Sequence, residues 1–225
     1  MSIEIYQKIE TLYKRDMEGT FKLIEGNFRN KIVEYLKDNQ WLFTEKVDGM
    51  NIRVYWDGYK ISFYGRSKSA ILPAHLLTRL TEIFIKPEME QVFEQLFGKT
   101  EAVLFGEGYG KKIQNGENYI KDNCDFILFD VFTNNKYLPI DEARNIAHVL
   151  GINYVPFVMV DTIDKAVEYI KSKPKSIIAE NKDYEMEGLV GKPMVDIYDN
   201  EGSRIIVKIK SRDFECKEGG VNDGK

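Results

Sequence analysis

Hydrophobic residues recur every three or four positions over residues 3–14 and again over 28–37, where Phe28, Ile32, Val33 and Leu36 share one side, and this spacing predicts two helices. From Trp41 the spacing tightens to the two-residue alternation of strands. The run IRVYWDGYKISFYG (52–65) is two β-rich stretches joined by Asp57-Gly58, a strong hairpin signal. Residues 74–97 return to helical spacing in two pieces broken near Pro87, with Leu76, Leu77, Leu80, Ile83 and Phe84 as a stripe assigned to the core. AVLFGEGYG (102–110) and DFILFDVF (125–132) predict strands, followed by a helix over 141–150 that ends at Gly151 and is capped by Asp141 or a neighbour. A strand YVPFVMV, a helix DKAVEYIKS, then EGLVGKP and SRIIVKIKS lead into a polar tail, RDFECKEGGVNDGK, predicted to fray. The pattern is α+β and dominated by antiparallel strands. No proline- or serine-rich linker marks a second domain, so residues 1–225 are expected to form one.

Composition narrows the class. A chain of 225 residues, 43% hydrophobic, can bury the core of one domain of catalytic size, and 30% charged with 12% aromatic residues excludes disorder and low complexity. Charges punctuate the N-terminus and no apolar run approaches 18 residues, so neither a signal peptide nor a membrane span is expected. Cys124 and Cys216 leave no disulfide framework, which suits a reducing, cytoplasmic compartment. The formal charge of −4 weighs weakly against a nucleic-acid partner. Local clusters at Arg66/Lys68, Lys111/Lys112 and Lys208/Lys210/Arg212 weigh the other way if a fold gathers them.

Several chemistries drop out. FGKT (97–100) ends like a phosphate-binding loop, but Phe93 stands where its first glycine belongs. GEGYGKK lacks both the dinucleotide glycine spacing and the acid that would follow it. His75 and His148 are not spaced as zinc ligands and read as ordinary helix residues.

What remains centres on FTEKVDGMNIRV (43–54). Phe43, Val47, Met50 and Ile52 surround Lys46 with apolar neighbours, and apolar surroundings favour the neutral amine, which is a nucleophile; the plainer alternative is an exposed lysine at a hairpin end. Strand alternation puts Lys208 and Lys210 on one face with Ile206, opposite Ile205, Val207 and Ile209. Two ammonium groups facing one volume suit a phosphate between them, or else a solvated strand face. Glu107 and Glu187 each sit beside a glycine next to an apolar strand, where a carboxylate can meet a ribose hydroxyl or a hard cation, or simply serve a turn. Phe129 can stack on a base or fill the core.

Together these stretches resemble the covalent nucleotidyltransferases, the superfamily of ATP-dependent DNA and RNA ligases and mRNA-capping guanylyltransferases, over residues 41 to 212. EKVDGMN resembles its motif I, GRSKSA the arginine motif that follows, LFGEGYG motif III, FILFDVF motif IIIa, EGLVGKP motif IV and IVKIKSR motif V. Asn51, five residues after Lys46, is similar to the asparagine of type-2 RNA ligases, where DNA ligases and capping enzymes usually carry arginine. The resemblance implies an ATP-grasp-like ligase adenylation fold, with antiparallel sheets flanked by helices around a nucleotide cleft. It also implies an ATP-dependent RNA ligase working through a covalent lysyl-AMP on Lys46, with a DNA ligase or a GTP-using capping-type transferase as the alternative. By the same resemblance, Asn51 and Arg66 contact the nucleotide and its phosphates, Glu107 the ribose and Phe129 the adenine. Glu187 serves Mg²⁺, for which Mn²⁺ can substitute, Lys208 and Lys210 grip the α-phosphate, and Glu45 helps read the base; Asp48 and Arg53 receive no firm role. The implied partners are ATP and RNA ends or a nicked duplex. Only 15 residues follow Lys210, so the expectation is a bare catalytic core that holds RNA by its own cleft, by an accessory protein or as a homodimer.

Overall fold

The computed structural model describes residues 4–19, 23–67 and 69–215. Along the chain, β1 (Glu10–Thr11), β2 (Tyr13–Arg15), β3 (Leu23–Phe28), α1 (Lys31–Tyr35), β4 (Trp41–Glu45), β5 (Met50–Trp56) and β6 (Ile61–Gly65) precede α2 (Ala74–Phe84) and α3 (Pro87–Phe97). There follow β7 (Ala102–Gly110), β8 (Cys124–Thr133), β9 (Lys136–Tyr137), α4 (Ile140–Leu150), β10 (Asn153–Tyr154), β11 (Phe157–Asp161), α5 (Ile163–Lys171), β12 (Gly188–Pro193) and β13 (Val207–Lys210). This is a mixed α+β fold with largely antiparallel sheets. Contacts divide it into two compact units, one of Met1–Lys8, Val47–Pro156 and Lys175–Tyr184, the other of Ile9–Lys46, Phe157–Pro174 and Glu185–Lys225.

The first unit is built on a six-stranded sheet ordered β10-β8-β7-β5-β6, with β9 on β8. The β5–β6 hairpin forms as predicted. Gly58 takes φ +94°, and the Asp57 carboxylate accepts the N–H groups of Tyr59 and Lys60 at 2.9 Å each. Alternation along β5 turns Ile52, Val54 and Trp56 to one face, where they pack with Leu76, Leu80 and Phe84 of α2, Phe93 and Phe97 of α3, and Ala143 and Ile146 of α4. Leu77, assigned to the same stripe, is instead exposed. Asp141 does not cap α4; Pro139 occupies the cap position, with no side-chain hydrogen bond there. Gly151 closes that helix at φ +66°.

The second unit holds a five-stranded sheet ordered β1-β13-β12-β4-β11 and a separate β2–β3 ribbon. Trp41 and Phe43 of β4, Leu189 of β12, and Val207 and Ile209 of β13 face Ile163, Ala166, Val167 and Ile170 of α5. The helix expected over 3–14 is absent. Residues 4–9 carry no regular structure, while Glu10 and Thr11 form a strand by pairing in parallel with Val207 and Lys208, and 13–15 form another by pairing with β3. Non-local pairing overrides local spacing there. The helix expected over 28–37 shrinks to α1, since Phe28 ends β3 and Asn30 caps the helix by accepting the Ile32 and Val33 N–H groups. The single strand expected over 154–160 breaks at Val155-Pro156 into β10 and β11, which belong to different sheets. Among the described residues no helix is long and apolar enough to cross a membrane. Cys124 is buried. Lys68, Cys216 and most of the tail expected to fray lie outside the described residues.

Candidate active site

In the second unit, strand order alone gathers residues that are far apart in sequence. β12 lies between β4 and β13 and runs antiparallel to both, so its first residue meets the last residues of its two neighbours. Gly188 is opposite Lys210 on one side, and on the other its carbonyl accepts the Lys46 N–H at 2.9 Å. Alternation then directs the Lys46 and Lys210 side chains to one face, with a glycine between them. That gap has to be a glycine, because a Cβ on Gly188 would lie 2.1 Å from the Ile209 carbonyl oxygen. Glu187, whose own carbonyl accepts the Ser211 N–H at 2.9 Å, reaches into the row. Its Oε2 accepts from Lys46 Nζ at 2.6 Å and its Oε1 from Lys210 Nζ at 2.7 Å. These side chains are only 21, 12 and 14% exposed for Lys46, Glu187 and Lys210, so solvent screens the triad weakly.

The Lys46 amine meets this ion pair, and Phe43 turns away into the core. Lys208 shares the lysine face one row along, opposite Val190, and Val207 and Ile209 pack inward as alternation required. Glu45 is buried on the opposite face, across from Leu189.

In the first unit, Asn51 of β5 lies directly opposite Glu107 of β7, which lies opposite Ile127 of β8, and this row faces away from the three helices. Asn51 Oδ1 is buried with no hydrogen-bond partner, an acceptor waiting for a donor. Phe129 occupies a β-bulge: Phe105 pairs with Asp130 and Gly106 with Leu128, which leaves Phe129 as the extra residue. Arg66 follows β6 and is exposed. Arg53 is buried and donates from Nε to the Gly65 carbonyl at 2.9 Å, immediately before Arg66, and burial lowers its pKa. The Asp48 turn is held from two sides: its N–H donates to the Tyr119 hydroxyl at 3.2 Å and its carboxylate accepts from Asn115 at 3.0 Å. Neither Asn115 nor Tyr119 could be singled out from sequence, since each stands alone in a polar stretch without periodicity.

Among the described residues no group of three or more histidines, cysteines, aspartates or glutamates converges as a metal site. Glu187 is a hard oxygen donor in the right chemical class for a divalent cation, and such a cation can complete its shell with phosphate oxygens and water.

The RNA ligase family model matches residues 39–210, which takes in every one of these side chains. The chain belongs to the RNA ligase family. Its fold is similar to that of Naegleria gruberi RNA ligase with pyrophosphate, at TM-score 0.62 and 22% identity over 94% of this chain and 61% of that one. A lysine-to-alanine variant of the same ligase with ATP and Mn aligns at TM-score 0.61 and 20% identity over 94% and 62%, and a lysine-to-methionine variant with AMP and Mn at 0.61 and 20% over 91% and 60%. This RNA ligase family chain thus spans about three-fifths of the length of those solved proteins. Among curated proteins no sequence matches it.

Proposed function

We propose that this chain is the catalytic domain of an ATP-dependent RNA ligase, with an ATP-grasp-like nucleotidyltransferase fold. The Lys46 nitrogen attacks the α-phosphorus of ATP, a P–N bond forms, the α–β anhydride breaks and pyrophosphate leaves in line. An RNA 5′-phosphate oxygen then displaces lysine from that phosphorus. Finally a 3′-hydroxyl attacks the activated 5′-phosphate, releasing AMP and leaving a phosphodiester.

The observation that carries this reading is the Lys46–Glu187–Lys210 row. A nucleophilic amine and a second cation are held on one carboxylate, at the end of a strand trio that fixes their spacing. Attack needs the nitrogen lone pair, so Lys46 must pass its proton on, and Glu187 Oε2 is within hydrogen-bond reach to take it. Lys210, with Lys208 one row along, is left to meet the charge that builds on the phosphoryl oxygens. Bound by Glu187 and the phosphates, Mg²⁺ or Mn²⁺ would supply Lewis-acid neutralisation of the same charge. In the first unit, the unpartnered Asn51 Oδ1 fits a ribose hydroxyl or bound water, Glu107 the ribose, Arg66 the phosphates and Phe129 the adenine ring.

The test is covalent labelling. Wild-type protein incubated with α-labelled ATP and Mg²⁺, then denatured, is expected to carry label, Lys46→Ala none, and α-labelled GTP to give none with either. Labelled wild type should then seal a nick flanked by RNA in preference to one flanked by DNA. Equal label on Lys46→Ala would remove the reading, and label from GTP alone would move it to the capping class.

A further inference from the structure

Phe129 is the extra residue of a bulge, and a bulge re-aims a side chain without fixing it. What fixes this one comes from a segment with no regular structure, residues 4–9. Tyr6 is 6% exposed, and its ring meets Phe129 edge-on, with centroids 5.0 Å apart at 73°. The same ring touches Phe105 at 5.0 Å and Tyr137 at 5.9 Å. Its hydroxyl donates to the buried Asp130 Oδ2 at 2.7 Å, on the residue that closes the bulge. The Tyr154 hydroxyl donates to the Phe129 carbonyl at 3.0 Å.

We propose that Tyr6, anchored on Asp130, is a positioning residue that locks the Phe129 ring as a platform for the adenine of ATP. The inference rests on the role proposed above for Phe129 and extends it to a residue outside the stretch matched by the family model. The physical reason is orientation. A partly exposed ring on a bulge samples several rotamers, and a stacked base must pay the entropy of freezing it unless the protein has already done so. Tyr6 does so with an edge-to-face contact, and it is itself held by a buried hydrogen bond to a carboxylate.

The experiment compares ATP with ribose 5-triphosphate, which lacks the base, in the Lys46 labelling reaction of the full chain. Phe129→Ala is expected to raise the half-saturating ATP concentration about tenfold, and Tyr6→Leu about fivefold, on the scale of base–aromatic stacking. Inhibition by ribose 5-triphosphate should stay within about twofold of wild type in both, and the maximal labelling rate should change little. Tyr6→Leu added to Phe129→Ala should change nothing further, because the platform is already gone. Should Tyr6→Leu fail to give a cooperative thermal transition, Tyr6→Phe carries the test: it keeps the ring, loses the anchor, and should weaken ATP but not ribose 5-triphosphate, by about twofold. Equal weakening of both ligands, or additive effects in the double variant, would overturn the inference and leave the Phe129 reading standing. No effect of Phe129→Ala would remove both.

Discussion

At the scale of single residues, Asn51 and Glu187 carry opposite signatures. Glu187 is doubly satisfied, one oxygen on each ammonium, whereas Asn51 Oδ1 is buried and unsatisfied. A buried acceptor without a partner costs the fold about 1–3 kcal/mol, so its persistence points to a ligand that supplies the donor. Asn51→Ala should therefore lower Lys46 labelling at least tenfold, while the midpoint of thermal unfolding stays level or rises by up to roughly 4 °C. A fall of several degrees would mean that Asn51 is structural. In the sequence Asn51 is singled out only by resemblance to type-2 RNA ligases, as the fifth residue after Lys46. Its missing partner was not legible there, because only a folded neighbourhood shows which atoms lack one.

At the scale of elements, the β4–β12–β13 trio turns three distant stretches into one row, and Gly188 is the point on which the row turns. Strand alternation in VKIK already told which lysines share a face; no sequence pattern told that β12 would lie between β4 and β13, so the pairing of Lys46 with Glu187 was not foreseeable. The N-terminal stretch fails as a prediction for the same reason, since the edge of β13 that captures Glu10 and Thr11 lies almost 200 residues away. Gly188→Ala tests the trio. Its Cβ would lie 2.1 Å from the Ile209 oxygen and 2.9 Å from the Lys210 Cα, so β12 and β13 must part. The expected cost is about 3 kcal/mol or more, with labelling reduced at least tenfold. Gly202→Ala is the reference: φ is +79° but no atom lies within 4 Å, and strain alone should cost about 1 kcal/mol with labelling unchanged. Equal losses in melting temperature and activity for the two variants would show that backbone strain, and not strand spacing, is what glycine provides at 188.

At the scale of the whole molecule, the chain passes between its units five times, and Lys46 is the last residue before one of those passages. Each unit is assembled from three separate segments. If the second unfolded alone, the first would have to close loops of about 40 and about 20 residues through disordered chain, at about 3–4 kcal/mol each. That sum rivals the whole stability of an ordinary domain, about 5–15 kcal/mol, so the units should unfold together. The two tryptophans make this measurable, because Trp41 is buried in the core of the second unit and Trp56 in that of the first. Urea titrations of Trp41→Phe and Trp56→Phe, each followed by the fluorescence of the remaining indole and by far-ultraviolet circular dichroism, should give coincident curves within each variant. If in the variant retaining Trp56 the fluorescence midpoint lay well above that of the dichroism, the first unit would be standing on its own. The closure entropy of its loops would then be smaller than the core that Ile52, Val54 and Trp56 build against α2 and α3.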